Sequence, residues 1–141
     1  MLSKTAQYAL RAVIYLAGGS GAPVPAAEVA AGLEVPPNYL SKILHTLSRA
    51  GVVESERGPG GGYRLARPAD RIPIADVVGE FEPLAPGGGC LLGFASCPGE
   101  HPCPAHERWQ RVSEPIAAFF RETMVSELLE SSGAVAPTVH A

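Results

Sequence analysis

Three cysteines and a histidine lie close together in the second half of the chain: Cys90, then six residues to Cys97, five to Cys103 and two to His106. Thiolates and imidazoles are ligands for soft and borderline metals. A single structural zinc draws on ligand pairs about two to four residues apart, because one ion closes a small tetrahedral cage. The gaps here are wider and suit a larger group, an iron–sulfur cluster, for which mixed Cys and His sets have precedent in two-iron centres. A structural zinc, or buried or redox-active thiols, are the competing readings. His106 falls in the first turn of a predicted helix, which can aim its ring back at the loop; a surface histidine at a helix end is the alternative. Glu100 and His101 are rival ligands, and Leu91, Leu92 and Phe94 either shield such a site from water or pack on the core.

A second constellation carries different chemistry. Asn38, Tyr39, Ser41, Lys42 and His45 occupy the N-terminal end of a predicted helix, with Asn38, Ser41, Lys42 and His45 on the face opposite Leu40, Leu44 and Leu47. Small polar and basic side chains at that end are what a helix needs to read the DNA major groove. A merely solvated helix face is the plain alternative. The run Arg57-Gly58-Pro59-Gly60-Gly61-Gly62-Tyr63 follows. Its glycines allow close backbone approach to another surface, and Arg57 supplies the charge that a narrow minor groove attracts. A phosphate-binding loop is a poor rival, since the run has no Lys-Ser or Lys-Thr and precedes a strand. A purely structural hairpin remains open.

These residues need elements to hold them. Residues 3–17 repeat Ala6, Leu10, Val13, Ile14 and Ala17 at helical spacing, and Gly18 and Gly19 end that helix. A short Ala-rich helix opens at Val24-Pro25, with Pro25 suited to a first turn and Gly32 near the end. Pro36, Pro37 and Asn38 break the chain before Tyr39, Leu40, Ile43, Leu44 and Leu47 resume the period. Two such helices joined by a few residues, with a glycine at the turn, outline a helix-turn-helix. Residues 52–55 and 63–66 read as strands around the glycine-rich turn, a hairpin placed as a wing. A connector over 68–73 leads to a short helix carrying Ile74, Val77, Val78 and Phe81.

Residues 82–104 have no usable periodicity and many prolines and glycines, so something other than secondary structure must hold them. Helical period returns from Ala105 with Trp109, Val112, Ile116, Phe119 and Phe120, disturbed only by Pro115. So broad an aromatic stripe on a lone helix requires a partner surface. Thr123 is placed to cap a last short helix with Val125, Leu128 and Leu129.

The predicted fold class is mainly α with a small β-hairpin: a winged helix-turn-helix over 1–81, a cluster-binding loop over 82–104, a dimerisation helix and short C-terminal helix over 105–130, and a disordered tail over 131–141. The 141 residues carry a net charge of −3, which by itself disfavours nucleic acid. Residues 1–72 nevertheless sum to +3 and residues 73–141 to −6, so the acidic total hides a basic front half. The odd cysteine count and the lack of an export-signal pattern argue against a disulfide framework and predict a cytoplasmic protein. No apolar stretch approaches the roughly 20 residues that span a bilayer, so no membrane partner is expected. No second cofactor motif, paired carboxylates or nucleophile triad supports an enzyme.

The Arg57 to Tyr63 run, the cysteine trio, the Tyr8-Ala9 start and the Tyr39-Leu40 helix together resemble, nearly end to end, the bacterial Rrf family of winged-helix regulators, which includes the iron–sulfur regulator IscR and the nitric-oxide sensor NsrR. The resemblance implies a homodimer joined through the long helix, with each cluster near the junction of that helix and the winged domain. It also implies that Arg57, with Gly60 and Tyr63 in its loop, serves the minor groove while Ser41, Lys42 and their neighbours face bases of double-stranded promoter DNA. In IscR-like members a histidine three residues past the last cysteine completes a 2Fe-2S site, the place held here by His106. Some nitric-oxide sensors use an acid from the partner's first helix instead; Gln7 stands at that position and favours His106. The resemblance to IscR-like members implies a 2Fe-2S in preference to a 4Fe-4S centre. The first cysteine gap is one residue longer than in IscR, Pro115 interrupts the long helix, and the recognition helix differs, so the operator does not transfer. The expectation is a repressor governed by a cluster that reports redox state, nitric oxide or iron supply. A zinc-stabilised regulator and a small iron–sulfur redox protein are the rivals.

Overall fold

The computed structural model of the chain describes residues 2–84, 90–92 and 103–129. Helix α1 (Lys4–Ala17) opens on Ser3, whose hydroxyl accepts the Ala6 N–H at 3.1 Å, and closes on Gly18. A serine there satisfies one of the donors that the first helical turn leaves without an intrahelical partner. The helix buries Ala6, Ala9, Ala12, Val13, Ile14 and Leu16, whereas Leu10 and Ala17 are only partly covered. The face is therefore broader than the predicted stripe and rotated from it. The reason is position: α1 is surrounded by the other elements instead of lying on a surface.

Helix α2 (Ala26–Leu33) and helix α3 (Pro37–Arg49) form the helix-turn-helix. Pro25 precedes α2 as its cap instead of sitting in its first turn, and its carbonyl accepts Glu28 and Val29 N–H groups at 3.0 and 3.1 Å. The turn is made by Glu34 in the left-handed region (φ 57°), not by glycine. Gly32 stays inside the helix because a Cβ there would stand 2.7 Å from the Tyr15 ring. Pro37 is the first residue of α3, where its missing N–H leaves no bond unmade. Leu40, Ile43, Leu44 and Leu47 are buried, as the period predicts.

The wing pairs β1 (Val53–Glu56) with β2 (Gly62–Leu65) in antiparallel register, Val53 opposite Leu65 and Glu54 opposite Arg64. Each strand lies one residue away from the predicted span. Val24 adds a rung on the far side of β2, exchanging two backbone hydrogen bonds of 2.8 Å with Tyr63. That rung fixes the wing to the segment entering α2.

A 3-10 turn, Ala69–Arg71, breaks the predicted connector and leads to α4 (Ile74–Val78), which ends at Gly79 before reaching Phe81. Helix α5 (His106–Glu122) runs unbroken through Pro115. The carbonyl of Arg111, which Pro115 cannot serve, lies on the exposed side where water can meet it. Thr123 closes α5 instead of capping the next helix, α6 (Val125–Leu129), whose Glu127 carboxylate accepts the Met124 N–H at 2.6 Å. Ile74 N–H to the Thr123 carbonyl and Val125 N–H to the Ile72 carbonyl, both 2.9 Å, tie the end of α5 into the winged domain. At the other edge of that domain the Glu82 carboxylate accepts the Ser3 N–H, which holds the Glu82 carboxyl below its ordinary range. The core is continuous, with Val13, Val29, Leu40, Leu44, Leu47, Ile72, Val77 and Val125 all sealed from solvent.

Candidate nucleic-acid interface and metal centre

Helix α3 turns its apolar side to α1, and this leaves Asn38, Ser41, Lys42 and His45 exposed along the opposite side. Tyr39 is different. Its ring is half-buried, edge-on to Tyr8 at 5.8 Å between centroids, and its hydroxyl meets that of Thr5. The Arg11 guanidinium lies 5.6 Å from the Tyr8 ring centre, within cation–π range. Tyr39 thus packs the start of α3 onto α1.

The wing separates its glycines by task. Gly58 and Gly60 have φ of +93° and +77° and nothing within 4 Å of where a Cβ would stand, so the tip is open. Gly61 and Gly62 instead approach the protein itself: a Cβ on Gly61 would lie 2.2 Å from the Glu56 carbonyl oxygen, and one on Gly62 2.2 Å from the Val24 carbonyl carbon. The close approach inferred from sequence is at these two positions an internal one. Arg57 is exposed at the tip, and among the described residues its guanidinium makes no ion pair. Tyr63 sits at the wing's base, half-buried against the core and bonded through its backbone to Val24.

Two clusters were missed in the sequence. Arg64 reaches Glu54 at 2.7 Å and Glu56 at 3.9 Å across the hairpin, and these carboxylates hold its guanidinium more firmly protonated than usual. Arg67 joins Asp76 at 3.0 Å and the Arg71 carbonyl at 3.1 Å. Alternating acids facing an arginine across a predicted hairpin are the signal that reveals the first; the second needs the fold.

Of the predicted thiol ligands, Cys90 and Cys103 are half-buried, as is His106. The His106 N–H donates to the Cys103 carbonyl at 3.0 Å, which winds the two residues into one turn at the N-terminal end of α5. Peptide N–H groups at this end favour neighbouring negative charge. Cys97 and the rival ligands Glu100 and His101 lie outside the described residues, as do Phe94 and the predicted tail. Among the described residues no three Cys, His, Asp or Glu side chains gather closely enough to hold a metal ion. The donor types nevertheless fit a thiolate-bound iron–sulfur group: two thiols in a half-buried setting and an imidazole one turn beyond the second.

A family model described as an iron-dependent transcriptional regulator, Rrf2, matches residues 2–131. The chain belongs to the Rrf2 family. Among its relatives, the HTH-type transcriptional regulator IscR of Xenorhabdus nematophila is 33% identical over 131 residues, spanning 92% of this chain and 79% of that protein. IscR of Vibrio atlanticus is 32% identical over 132 residues, 93% of this chain and 76% of its own. The structure of CymR, the global cysteine regulator of B. subtilis, superposes with a TM-score of 0.78 at 25% identity, covering 94% of this chain and 98% of that one. This Rrf2 member is a transcriptional regulator with a winged-helix fold, and none of its described helices is long and apolar enough to cross a membrane.

Proposed function

We propose that the protein is a homodimeric repressor whose grip on promoter DNA is set by a 2Fe-2S cluster held by Cys90, Cys97, Cys103 and His106. The observation that carries this reading is one chain's pairing of an open, positively charged wing tip with a Cys103–His106 turn that starts the helix best suited to dimerisation. On α5, Val112 and Phe119 are more than half exposed and, seven residues apart, share one face, while Phe120 turns inward to the core. Apolar side chains so placed favour burial against a second α5.

Asn38, Ser41, Lys42 and His45 then lie at a major groove, and Arg57 at the adjoining minor groove with Gly60 beside it. Tyr39 and Tyr63 act by holding the recognition helix and the wing in place. The two-fold axis of a dimer places paired helices in successive grooves about 34 Å apart, on a pseudo-palindromic site. When bound, a 2Fe-2S cluster supplies a one-electron change of charge. His106 and Cys103 begin α5, the far end of α5 is bonded to the chain between Ile72 and Ile74, and Glu82 anchors the beginning of the loop to α1. A change at the cluster site therefore reaches the recognition helix from two sides.

Binding of a promoter fragment by Arg57→Ala tests the wing. Affinity falls, and the slope of log K against log salt drops by about 0.9, the signature of one lost phosphate contact. Unchanged affinity refutes the wing's role.

A further inference from the structure

The outer face of the wing carries an excess of acid. Glu54 and Glu56 alternate on β1 and so project to the same side, with Arg64 directly across from Glu54 on β2. The three side chains are 50, 55 and 42% exposed, so this side faces solvent, while Val53, Tyr63 and Leu65 turn to the core. One Arg64 guanidinium serves both carboxylates, Nε at 2.7 Å from Glu54 and a terminal nitrogen at 3.9 Å from Glu56. Arg57 follows Glu56 directly.

Consecutive Cα atoms stand about 3.8 Å apart and alternate strand residues about 7 Å apart. The backbones of Glu56 and Arg57 therefore stand closer together than one Debye length, ~8 Å at physiological salt. Bare carboxylates there repel the DNA that Arg57 attracts. From this placement, and resting on the reading of the wing as a DNA contact, we propose that Arg64 is a positioning residue for DNA binding: it clamps Glu54 and Glu56 and offsets one of their two negative charges, so that the hairpin with Arg57 turns a neutral instead of an acidic surface to the duplex. Arg64 touches no DNA itself.

The clamp also explains why acids are tolerated on a DNA-facing hairpin. A cross-strand ion pair on a two-stranded ribbon adds a little to its stability and holds its register. The same pair keeps the two carboxylates drawn toward β2 and away from the tip.

The test measures promoter-fragment affinity, with circular dichroism to confirm folding, for four proteins: wild type, Arg64→Gln, Glu54→Gln/Arg64→Gln and Arg57→Ala. Arg64→Gln bares a carboxylate and weakens binding by about tenfold at low salt, an effect that shrinks as ionic strength rises. Removing the facing acid in Glu54→Gln/Arg64→Gln restores the net charge and returns affinity to within about twofold of wild type. If the paired variant stays as weak as Arg64→Gln, Arg64 is itself a DNA contact and the proposal fails. If Arg64→Gln binds like wild type while Arg57→Ala is impaired, the clamp is irrelevant to binding and the proposal fails with the wing reading intact. Full affinity in both Arg57→Ala and Arg64→Gln overturns the wing reading itself.

Discussion

Gly62 is where the wing is fixed to the rest of the domain, and its replacement by alanine isolates that attachment. A Cβ at this position stands 2.2 Å from the Val24 carbonyl carbon, 2.3 Å from its oxygen and 2.5 Å from the Pro25 nitrogen, on a backbone with φ of +145°. Relieving the overlap requires the strand to move away by roughly 1 Å, with all the contacts being to backbone that cannot rotate aside. The two 2.8 Å bonds between Val24 and Tyr63 then exceed hydrogen-bonding distance. Losing them costs about 1 kcal/mol each, and forcing an L-residue into this conformation adds about 1–2 kcal/mol. The expected loss is about 3–4 kcal/mol, a fall in Tm of roughly 12–16 °C for a domain of this size. Thermal melting followed by circular dichroism measures it. Gly60→Ala is the control: its φ of +77° carries strain, but nothing lies within 4 Å, so the cost stays near 1 kcal/mol. A Gly62→Ala protein that melts within about 1 kcal/mol of wild type, with the Val24 and Tyr63 amides still slow to exchange, refutes the reasoning.

Other substitutions check separate joints. Tyr39→Phe keeps the edge-on contact with Tyr8 and loses the hydroxyl contact with Thr5, which lowers stability by about 1 kcal/mol in denaturant titrations; Thr5→Val costs no more once Tyr39→Phe is present. Glu82→Gln lowers stability at neutral pH by about 0.5 kcal/mol, because an exposed ionised acceptor is replaced by a neutral one. The folded-state pKa of Glu82 is depressed, so its contribution is present above the ordinary value of 4.5 and lost as pH falls through the depressed one; urea melts of the two proteins therefore converge in acid. A gap that widened in acid contradicts the contact. Ser3→Ala removes the α1 cap and costs about 1 kcal/mol, read from the same melts.

The helices were legible because their period survives in the sequence: Leu40, Leu44 and Leu47 point inward wherever α3 is placed, which leaves Asn38, Ser41, Lys42 and His45 outside. The direction of α1 was less legible, since a helix surrounded by others buries small residues such as Ala9 and Ala12 that a stripe of large side chains does not mark. Glu34 in the helix-turn-helix turn illustrates a similar limit. Glycine is the residue expected at positive φ, yet Gly32 stands two residues earlier, where a Cβ would meet the Tyr15 ring. Tyr39 was grouped with the DNA-binding residues from its place at the helix start, and only the fold shows its ring against Tyr8. The Arg64 pairing depends on register, which strand spans read from the sequence do not by themselves state. Of the proposed metal ligands, Cys103 and His106 share one turn at the start of α5, as their spacing suggests, whereas Cys97 lies outside the described residues.

In the proposed function an iron–sulfur cluster on Cys90, Cys97, Cys103 and His106 controls DNA affinity. Its most direct test is anaerobic titration of a promoter fragment with cluster-loaded and cluster-stripped protein, with iron, sulfide and zinc quantified in each sample and Cys97→Ala run alongside. Cluster control requires iron and sulfide in equal amounts, visible absorbance that is absent from Cys97→Ala, and a difference of at least about tenfold in Kd between the two forms, which is about 1.4 kcal/mol of coupling. Zinc in place of iron and sulfide, or equal affinity with and without the cluster, contradicts it.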